Sequence, residues 1–332
     1  MTDKDPLKRI TVDDPAEVSR RNIVTTAVVL VSMILSCYVY FGLSSGSLSE
    51  FFSKIDGDIY WMFAFLLPFP FAVLVSYIWP AVKNQKLFSA SILLDLAYHI
   101  FRFTIGISLL AALMPTAKVL YEQYLSFLTI EISTGVPVWI RMICVLLFAD
   151  LLGWLHHYIR HRVRVLWYFH MIHHSQREMN YFTDSRVHLF DRVWSTLLVV
   201  VPTLMIRIPV PSMLFLLTVM SLQRFFYHSN LKSNFGILRY LLVTPQSHRI
   251  HHSTLPEHFN RNFGVNLSIW DHLFGTQYRN YDEYPETGLG EIDYPYERKR
   301  GALDIINTFG AQFLYPFGRV YRDLSIFIRK TS

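Results

Sequence analysis

Hydrophobic residues along this chain form long runs that are separated by short polar segments. The first run, residues 22–43, is long enough to cross a hydrocarbon layer of about 30 Å as a helix that rises about 1.5 Å per residue. A second run covers residues 60–82 and contains Pro68 and Pro70, which indicate a kinked span. The pattern therefore predicts two membrane-spanning helices in the N-terminal part of the chain.

Two further runs are interrupted by charged residues. Residues 87–120 carry Asp95 and Arg102 near their start, so this run either spans the membrane or begins along its interface. Residues 137–155 are apolar apart from two charged residues, and they are predicted to span. The second of these two runs leads directly into the first histidines of the chain.

The apolar tract at residues 193–222 is broken by Arg207, Pro209 and Pro211. Neither half of this tract is long enough to cross a bilayer, so it predicts a re-entrant hairpin of two half-length helices. From residue 302 onward, aromatic and aliphatic residues mix with arginines in a pattern that is typical of an interfacial helix.

These elements predict an all-α fold, namely a polytopic membrane helical bundle of about four spans plus a re-entrant helical hairpin. The positive-inside rule places the basic N-terminus and the loop with Lys83 and Lys86 in the cytoplasm, and a histidine-rich helical cap on the same face. The expected organisation is a cytoplasmic N-terminal tail (1–21), N-terminal transmembrane helices (22–135), a histidine-rich domain (136–280) and a C-terminal interfacial helical tail (281–332).

The composition supports a protein that is solvated by lipid. Hydrophobic residues make up 52% of the chain and charged residues only 17%, against roughly 25% charged residues in soluble domains. The net charge of +6 suits anionic lipid headgroups, whereas no nucleic-acid recognition element is present. Cys37 and Cys144 lie inside apolar runs and offer neither a disulfide framework nor a zinc knuckle. The N-terminus does not resemble a cleaved secretory signal, so the first span is expected in the mature protein.

Eight of the 14 histidines fall into three clusters with helical spacing. The clusters are His157 with His161, His170 with His173 and His174, and His248 with His251 and His252. Side chains three or four residues apart on a helix lie about 6 Å from each other, which suits convergence on one metal site. A single cluster is also compatible with a solvated helix face, but the repetition of all three favours metal binding.

The number of imidazoles bears on the number of metal ions. Zinc takes about four ligands and Fe(II) up to about six, so eight histidines indicate two ions. Imidazole suits iron, zinc, copper and nickel alike, so the ligand type leaves the metal open. A shell of neutral imidazoles leaves the cations strongly Lewis acidic, which favours oxygen activation.

Other polar residues in this region have more than one interpretation. His156 points about 100° away from His157 on a helix and is not expected to bind the same metal. Asp150 is expected to orient a ligand histidine, to pair with an arginine, or to reach the membrane interface. The same three roles are possible for Asp271, and helix capping is a fourth. The remaining histidines of this kind are expected to be structural: His99, His258 and His272.

Several motifs together resemble the membrane fatty acid hydroxylase superfamily, which includes sterol desaturases, sterol methyl oxidases and alkylglycerol monooxygenase. The resemblance covers approximately residues 150–276. It rests on Asp150, the three histidine clusters, the segments 166–175, 183–188, 228–231, 244–252, 262–264 and 270–276. It departs from the family pattern at Tyr158, Leu189 and His272, which loosens the assignment to a subfamily.

The resemblance implies that residues 136–280 form the catalytic domain and that the eight clustered histidines bind metal. It adds His188 and His228 as further ligands, with a hydrogen bond to another imidazole as the alternative role for each. It also implies two iron ions, with zinc possible in purified protein, and the use of dioxygen to hydroxylate or desaturate a lipid such as a sterol or a fatty acyl chain.

Electrons are expected from a separate reductase, ferredoxin or cytochrome, because the chain has no flavin or NAD fingerprint. The protein is therefore expected to be an integral, multi-pass membrane enzyme with its active site on the cytoplasmic face. Two rival functions remain at this stage. One is a zinc-dependent membrane hydrolase on the same histidines, and the other is a non-catalytic membrane protein that binds metal or lipid.

Overall fold

The computed structural model describes residues 14–44, 68–86, 88–130, 135–290, 293–298 and 301–331. Within these segments the regular structure is helical, and only three isolated β-bridges occur. The α-helices are α1 Pro15–Ser44, α2 Pro68–Ile78, α3 Ala90–Phe101, α4 Ile107–Leu120, α5 Val138–Arg162, α6 Arg164–His174, α7 Leu189–Ile206, α8 Val210–His228, α9 Pro245–His251, α10 Ile269–Leu273 and α11 Ala302–Thr331. The all-α prediction is confirmed for this part of the chain.

Local sequence explains where several helices begin. Ser89 caps α3 by accepting a hydrogen bond from the Ile92 amide. The α9 helix begins with a capping box, in which Thr244 and Ser247 each accept from the other's main-chain amide. The described part of α2 runs from Pro68 to Ile78. Residues 60–67 of the second apolar run lie outside the described segments.

The third apolar run forms two helices that are joined without a break by one π-helical turn, Arg102–Gly106. Such turns are common at functional sites because they redirect side chains within a continuous helix. Here the turn presents Arg102 toward the interior, where it meets Asp184.

Two helices among the described residues are long and apolar enough to cross a membrane, α5 and α7. The α5 helix corresponds to the fourth apolar run, and α7 to the first half of the tract that is broken at Arg207. The break lies where the prolines predict it, because α7 ends at Ile206 and α8 begins at Val210. The expectation of two half-length helices is wrong, since α7 has 18 residues and α8 has 19.

The helices α5, α6, α7 and α8 surround the histidines. The α5 helix packs along α7 and also contacts α6 and α8. The α11 helix packs against α3 and α6, and its Phe309 ring lies 4.6 Å from the Tyr98 ring. Its opposite face exposes large apolar side chains, including Leu303 and Leu314.

A buried ion pair fixes α3 to the loop between α6 and α7. Asp95 and Arg186 are both fully buried, and the Arg186 guanidinium donates to the Asp95 carboxylate. Asp95 also accepts hydrogen bonds from Asn180 and Thr183. Because a buried charge without a partner is costly, this network holds the loop in one conformation.

Candidate metal centre

Nine histidines meet in two neighbouring groups. The first group contains His157, His161, His170, His174 and His251, and the second contains His173, His228, His248 and His252. Within each group, one ring nitrogen of every histidine lies within 4.8 Å of the others. The structure thus brings together all eight clustered histidines and His228.

The two HxxHH motifs are divided between the groups in opposite ways. On α6, His170 and His174 enter the first group while His173 enters the second. On α9 and its C-cap, His251 enters the first group while His248 and His252 enter the second. Residues four apart on a helix differ in direction by about 40°, whereas residues three apart differ by about 60° on the other side. The helical spacing therefore serves two sites at once.

The two groups are in direct contact. The rings of His174 and His252 are stacked with centroids 4.3 Å apart, although they belong to different groups. The remaining histidines of the centre come from the ends of other helices, namely His157 and His161 from α5 and His228 from α8.

Main-chain carbonyl groups set the orientation of three imidazoles. The Nδ1 atoms of His157 and His251 donate to the carbonyl oxygens of Phe263 and Arg261, each at 2.8 Å. His228 donates in the same way to the carbonyl of Arg224 at 2.7 Å. A carbonyl can only accept, so the proton of each ring resides on Nδ1 and the Nε2 lone pair faces the centre.

A carboxylate orients a fourth imidazole. Asp191, on α7, accepts from His170 Nδ1 at 3.1 Å and from Arg160 Nη1 at 2.6 Å. His156 also faces Asp191, with its Nε2 atom 4.0 Å from Oδ1. The sequence analysis missed Asp191, and the available signal was an acidic residue at the start of an apolar helix.

The donor atoms fit a bound cation. His157 and His170 both carry their proton on Nδ1, so their Nε2 lone pairs face each other at 3.1 Å with no proton between them. The Nε2 atoms of His161 and His251 are buried and have no hydrogen-bond partner. Lone pairs that converge in this way repel each other unless a cation lies between them, and that is the arrangement of a metal site.

Burial also keeps the imidazoles outside the apolar helices neutral. It lowers the pKa of His173 to about 3, with a further contribution from the neighbouring His228. It likewise lowers the pKa of His251 to about 3, and it holds the pKa of His174 well below the usual value. Only the neutral ring binds a metal, so these side chains are ready ligands at neutral pH.

Asp150 and Asp271 have structural roles. The Asp150 carboxylate accepts from the main-chain amides of Asn266 and Leu267, and among the described residues it forms no hydrogen bond with a histidine or an arginine. Asp271 accepts from the amide of Phe263, and the carbonyl of the same residue orients His157. Asp150 on α5 thus holds the segment after α9, and Asp271 in that segment also accepts a hydrogen bond from Trp154 Nε1 on α5.

Gly264 packs tightly within this segment. A Cβ atom added there would lie 2.8 Å from the Leu267 carbonyl oxygen and 2.9 Å from the Asp271 carboxylate. Both distances are shorter than van der Waals contact, so only glycine fits this position without a shift of the main chain.

His188 lies apart from both groups. Its Nδ1 accepts from the Phe190 amide at the start of α7, and its ring lies 4.4 Å from Phe313 and 4.9 Å from Phe169. We therefore leave His188 out of the candidate centre, whereas His228 belongs to it. The histidines that were expected to be structural also lie outside both groups: His99, His258 and His272.

A cavity of about 320 Å³ borders both groups. Its lining includes His157 and His170 on one side, and His173 and His228 on another. Arginines and apolar side chains from α5, α7 and α8, together with Arg102, complete the wall. The cavity is large enough for part of a small organic molecule next to the imidazoles.

The family model for fatty acid hydroxylases matches residues 142–276, the segment that contains all nine histidines. Residues 142–276 are similar to the fatty acid hydroxylase domain. The match confirms the resemblance that the histidine motifs indicate. Asp150, Asp191 and Asp271 also lie within this domain, so the interactions that orient the imidazoles belong to it as well.

The relatives of this chain carry lipid-related names. Ornithine lipid hydroxylase OlsE of Rhizobium tropici is 30% identical over 183 residues, which cover 55% of this chain and 52% of that protein. Alkylglycerol monooxygenase of Xenopus tropicalis is 31% identical over 122 residues, covering 36% of this chain and 26% of that protein. The human alkylglycerol monooxygenase is 31% identical over 120 residues, with the same coverages.

The matches thus span about half of the first relative and about a quarter of the other two. No solved structure matches this chain. Together with the apolar helices α5 and α7, these relatives indicate that the chain is a membrane protein.

Proposed function

We propose that this chain is an integral membrane enzyme that uses dioxygen to hydroxylate a C–H bond of a lipid. The observation that carries the proposal is the pair of adjoining histidine groups that border one cavity. Relatives that are named as a lipid hydroxylase and a lipid monooxygenase support the same reaction class.

The bound metal in this proposal is a pair of iron ions. The first ion would be held by the group that contains His157 and His251, and the second by the group that contains His173 and His228. Iron in this setting supplies the activation of dioxygen, with two electrons from a separate reductase, ferredoxin or cytochrome. Zinc fits the same imidazoles, so the metal content requires measurement.

The chain itself holds the ligands and excludes water. Asp191 orients His170, and the carbonyl groups of Phe263 and Arg261 orient His157 and His251. The burial of these rings removes competing water from the ligand atoms. The cavity then positions a lipid C–H bond beside the centre, where a displacement of about 1 Å is enough to change the rate strongly.

The proposal includes a multi-pass protein whose active site faces the cytoplasm. The spans α5 and α7 end or begin at the histidine groups, so a lipid can enter the cavity from the bilayer between helices. A cytoplasmic site would be accessible to a soluble electron donor. Accessibility of single introduced cysteines from either side of the membrane would test this topology.

The test of the reaction is isotopic labelling in membranes from cells that do or do not produce the protein. With ¹⁸O₂ and a reductant, the proposal expects a lipid that gains one ¹⁸O atom only when the protein is present. An alkene without ¹⁸O would instead assign desaturation. Lipid cleavage that proceeds without oxygen would overturn the proposal in favour of a zinc hydrolase.

A further inference from the structure

Three arginines surround one aspartate at a wall of the cavity that borders the histidine groups. Arg102 Nη1 lies 2.9 Å from Asp184 Oδ2, Arg224 Nε lies 3.3 Å from Oδ1, and Arg192 Nη2 lies 3.7 Å from Oδ2. One carboxylate cannot neutralise three guanidinium groups. The arginine triad, Arg102, Arg192 and Arg224, therefore carries more positive charge than Asp184 neutralises, and Asp184 is the carboxylate that it contacts among the described residues.

The triad is assembled from apolar segments of the chain. Arg102 lies on the π-helical turn after α3, Arg192 lies in the first turns of α7, and Arg224 lies near the end of α8. A charge within an apolar segment is costly, and such residues generally line a pathway for a substrate or an ion. Arg192 Nη2 and Arg224 Nε are buried and face Asp184, but neither atom forms a hydrogen bond within the part of the chain that the structure describes.

The other carboxylates near the cavity are engaged elsewhere. Asp191 is bound to Arg160 and His170. Asp150 accepts from the amides of Asn266 and Leu267. Both carboxylates thus form their hydrogen bonds with groups outside the triad.

We propose that the arginine triad binds an anionic group, a phosphate or a carboxylate, of the lipid substrate. The proposal rests on the proposed function for the identity of the substrate as a lipid. Guanidinium groups bind both anions through paired hydrogen bonds, which suits three arginines that share one carboxylate.

The position of the triad also determines which carbon is attacked. Arg224 and His228 are four residues apart on α8, so their side chains leave the helix about 6 Å from each other. An anion at Arg224 therefore lies close to the second histidine group. The oxidised carbon is then only a few bonds from the anionic group, at the polar end of the lipid.

An apolar cavity provides room for the hydrocarbon chain. This second cavity, of about 430 Å³, lies between α4 and α7 and is lined by residues that include Leu113, Leu120, Trp194 and Val201. It shares Leu198 with the cavity that contains the triad. One lipid can therefore place its anionic end at the arginines and its chain along α7.

The experiment measures binding of three twelve-carbon probes to the full chain in neutral detergent by calorimetry. The probes are dodecyl phosphate, dodecanoate and dodecanol, and inorganic phosphate serves as a fourth ligand. We expect at least one anionic probe to bind tenfold or more tightly than dodecanol, and inorganic phosphate to bind far more weakly. Equal binding of dodecanol and both anions would overturn the proposal, and so would inorganic phosphate that binds as tightly as dodecyl phosphate.

Variants separate a binding role from a structural one. Arg192→Gln should lower the affinity for the preferred anion about tenfold and leave dodecanol unchanged, whereas Asp184→Asn should raise it by removing the competing carboxylate. Arg141→Gln is the matched control, because Arg141 contacts the Arg207 carbonyl outside the cavity. Full anion affinity in folded Arg192→Gln would overturn the proposal.

If Arg192→Gln fails to fold, Arg192→Lys replaces it. Lysine keeps the charge, so it should keep the preference for the anion but at reduced affinity. If Arg192→Lys loses the preference for the anion and also loses dodecanol binding, the residue has a structural role and the proposal is overturned. None of these measurements requires metal, oxygen or turnover, so their failure is distinct from a failure of the proposed hydroxylation.

Discussion

The Nδ1 atom of His170 lies 3.1 Å from Oδ2 of Asp191, so a carboxylate on α7 orients an imidazole on α6. This contact connects an apolar helix to the first histidine group. It also fixes the tautomer of His170, because a carboxylate accepts the Nδ1 proton and leaves Nε2 for a metal.

Replacement of Asp191 should weaken metal binding without removing a ligand. We expect Asp191→Asn to lower the affinity for iron by about 10- to 100-fold, the usual cost of losing such a contact. Titration of the metal-free protein with Fe(II) under anaerobic conditions measures this change. Asp282→Asn, at an exposed position, is the control, and an unchanged affinity in Asp191→Asn would disprove the orienting role.

His228 and His188 should differ in their effect on metal content. Removal of His228 takes a donor from the second group, so we expect His228→Ala to lose part or all of one metal ion per chain. His188→Ala should retain the full metal content, because His188 caps α7 among phenylalanines. Elemental analysis of both purified variants gives the ratio of metal to protein. An equal loss of metal in the two variants would contradict the assignment of His228, but not His188, to the metal centre.

Gly264 should not tolerate a side chain. The added Cβ of Gly264→Ala would collide with the Leu267 carbonyl and the Asp271 carboxylate, so we expect a loss of about 1–3 kcal/mol in the free energy of unfolding. Gly290→Ala is the matched control, because no atom lies within 4 Å of the Cβ position there. Thermal unfolding of the two variants in detergent provides the comparison, and similar midpoints would show that the segment can relax.

The metal-free protein should become less stable as the pH falls. Burial lowers the pKa of His173 and His251 from 6.5 to about 3, so the unfolded chain binds more protons than the folded chain between these values. Stability from these groups is present above pH 6.5 and is lost progressively toward pH 3. The thermal midpoint of chelator-treated protein, measured from pH 7.5 to pH 4.5, should fall steadily. A midpoint that rises on acidification would show that the rings are protonated in the fold.

The sequence was sufficient to predict that the clustered histidines converge, because helical spacing is a local property that survives folding. It could not divide the HxxHH motifs between two groups, since that depends on how α6 and α9 face each other. His188 and His228 each stand alone in the sequence, and only the packing of α7 and α8 separates their roles. Asp191 was missed because its partner His170 lies on another helix.

The apolar pattern located helices better than it located their ends. It predicted the break at Arg207, where prolines prevent a continuous helix, but α7 begins four residues earlier than the apolar tract. The polar residues Asp191 and Arg192 in the first turn of α7 lie outside that tract. In the folded chain Asp191 contacts the histidine centre and Arg192 contacts Asp184, and hydropathy does not register such tertiary contacts.

Because each HxxHH motif supplies histidines to both groups, the geometry of one site is coupled to the geometry of the other. A rotation of α6 that withdraws His170 and His174 from the first group also displaces His173 from the second, and α9 imposes the same coupling through His251 and His248. Neither site can therefore be dismantled by itself through movement of these helices. Each of these two helices supplies ligands to both sites. A substitution that displaces α6 or α9 should therefore weaken the binding of both ions.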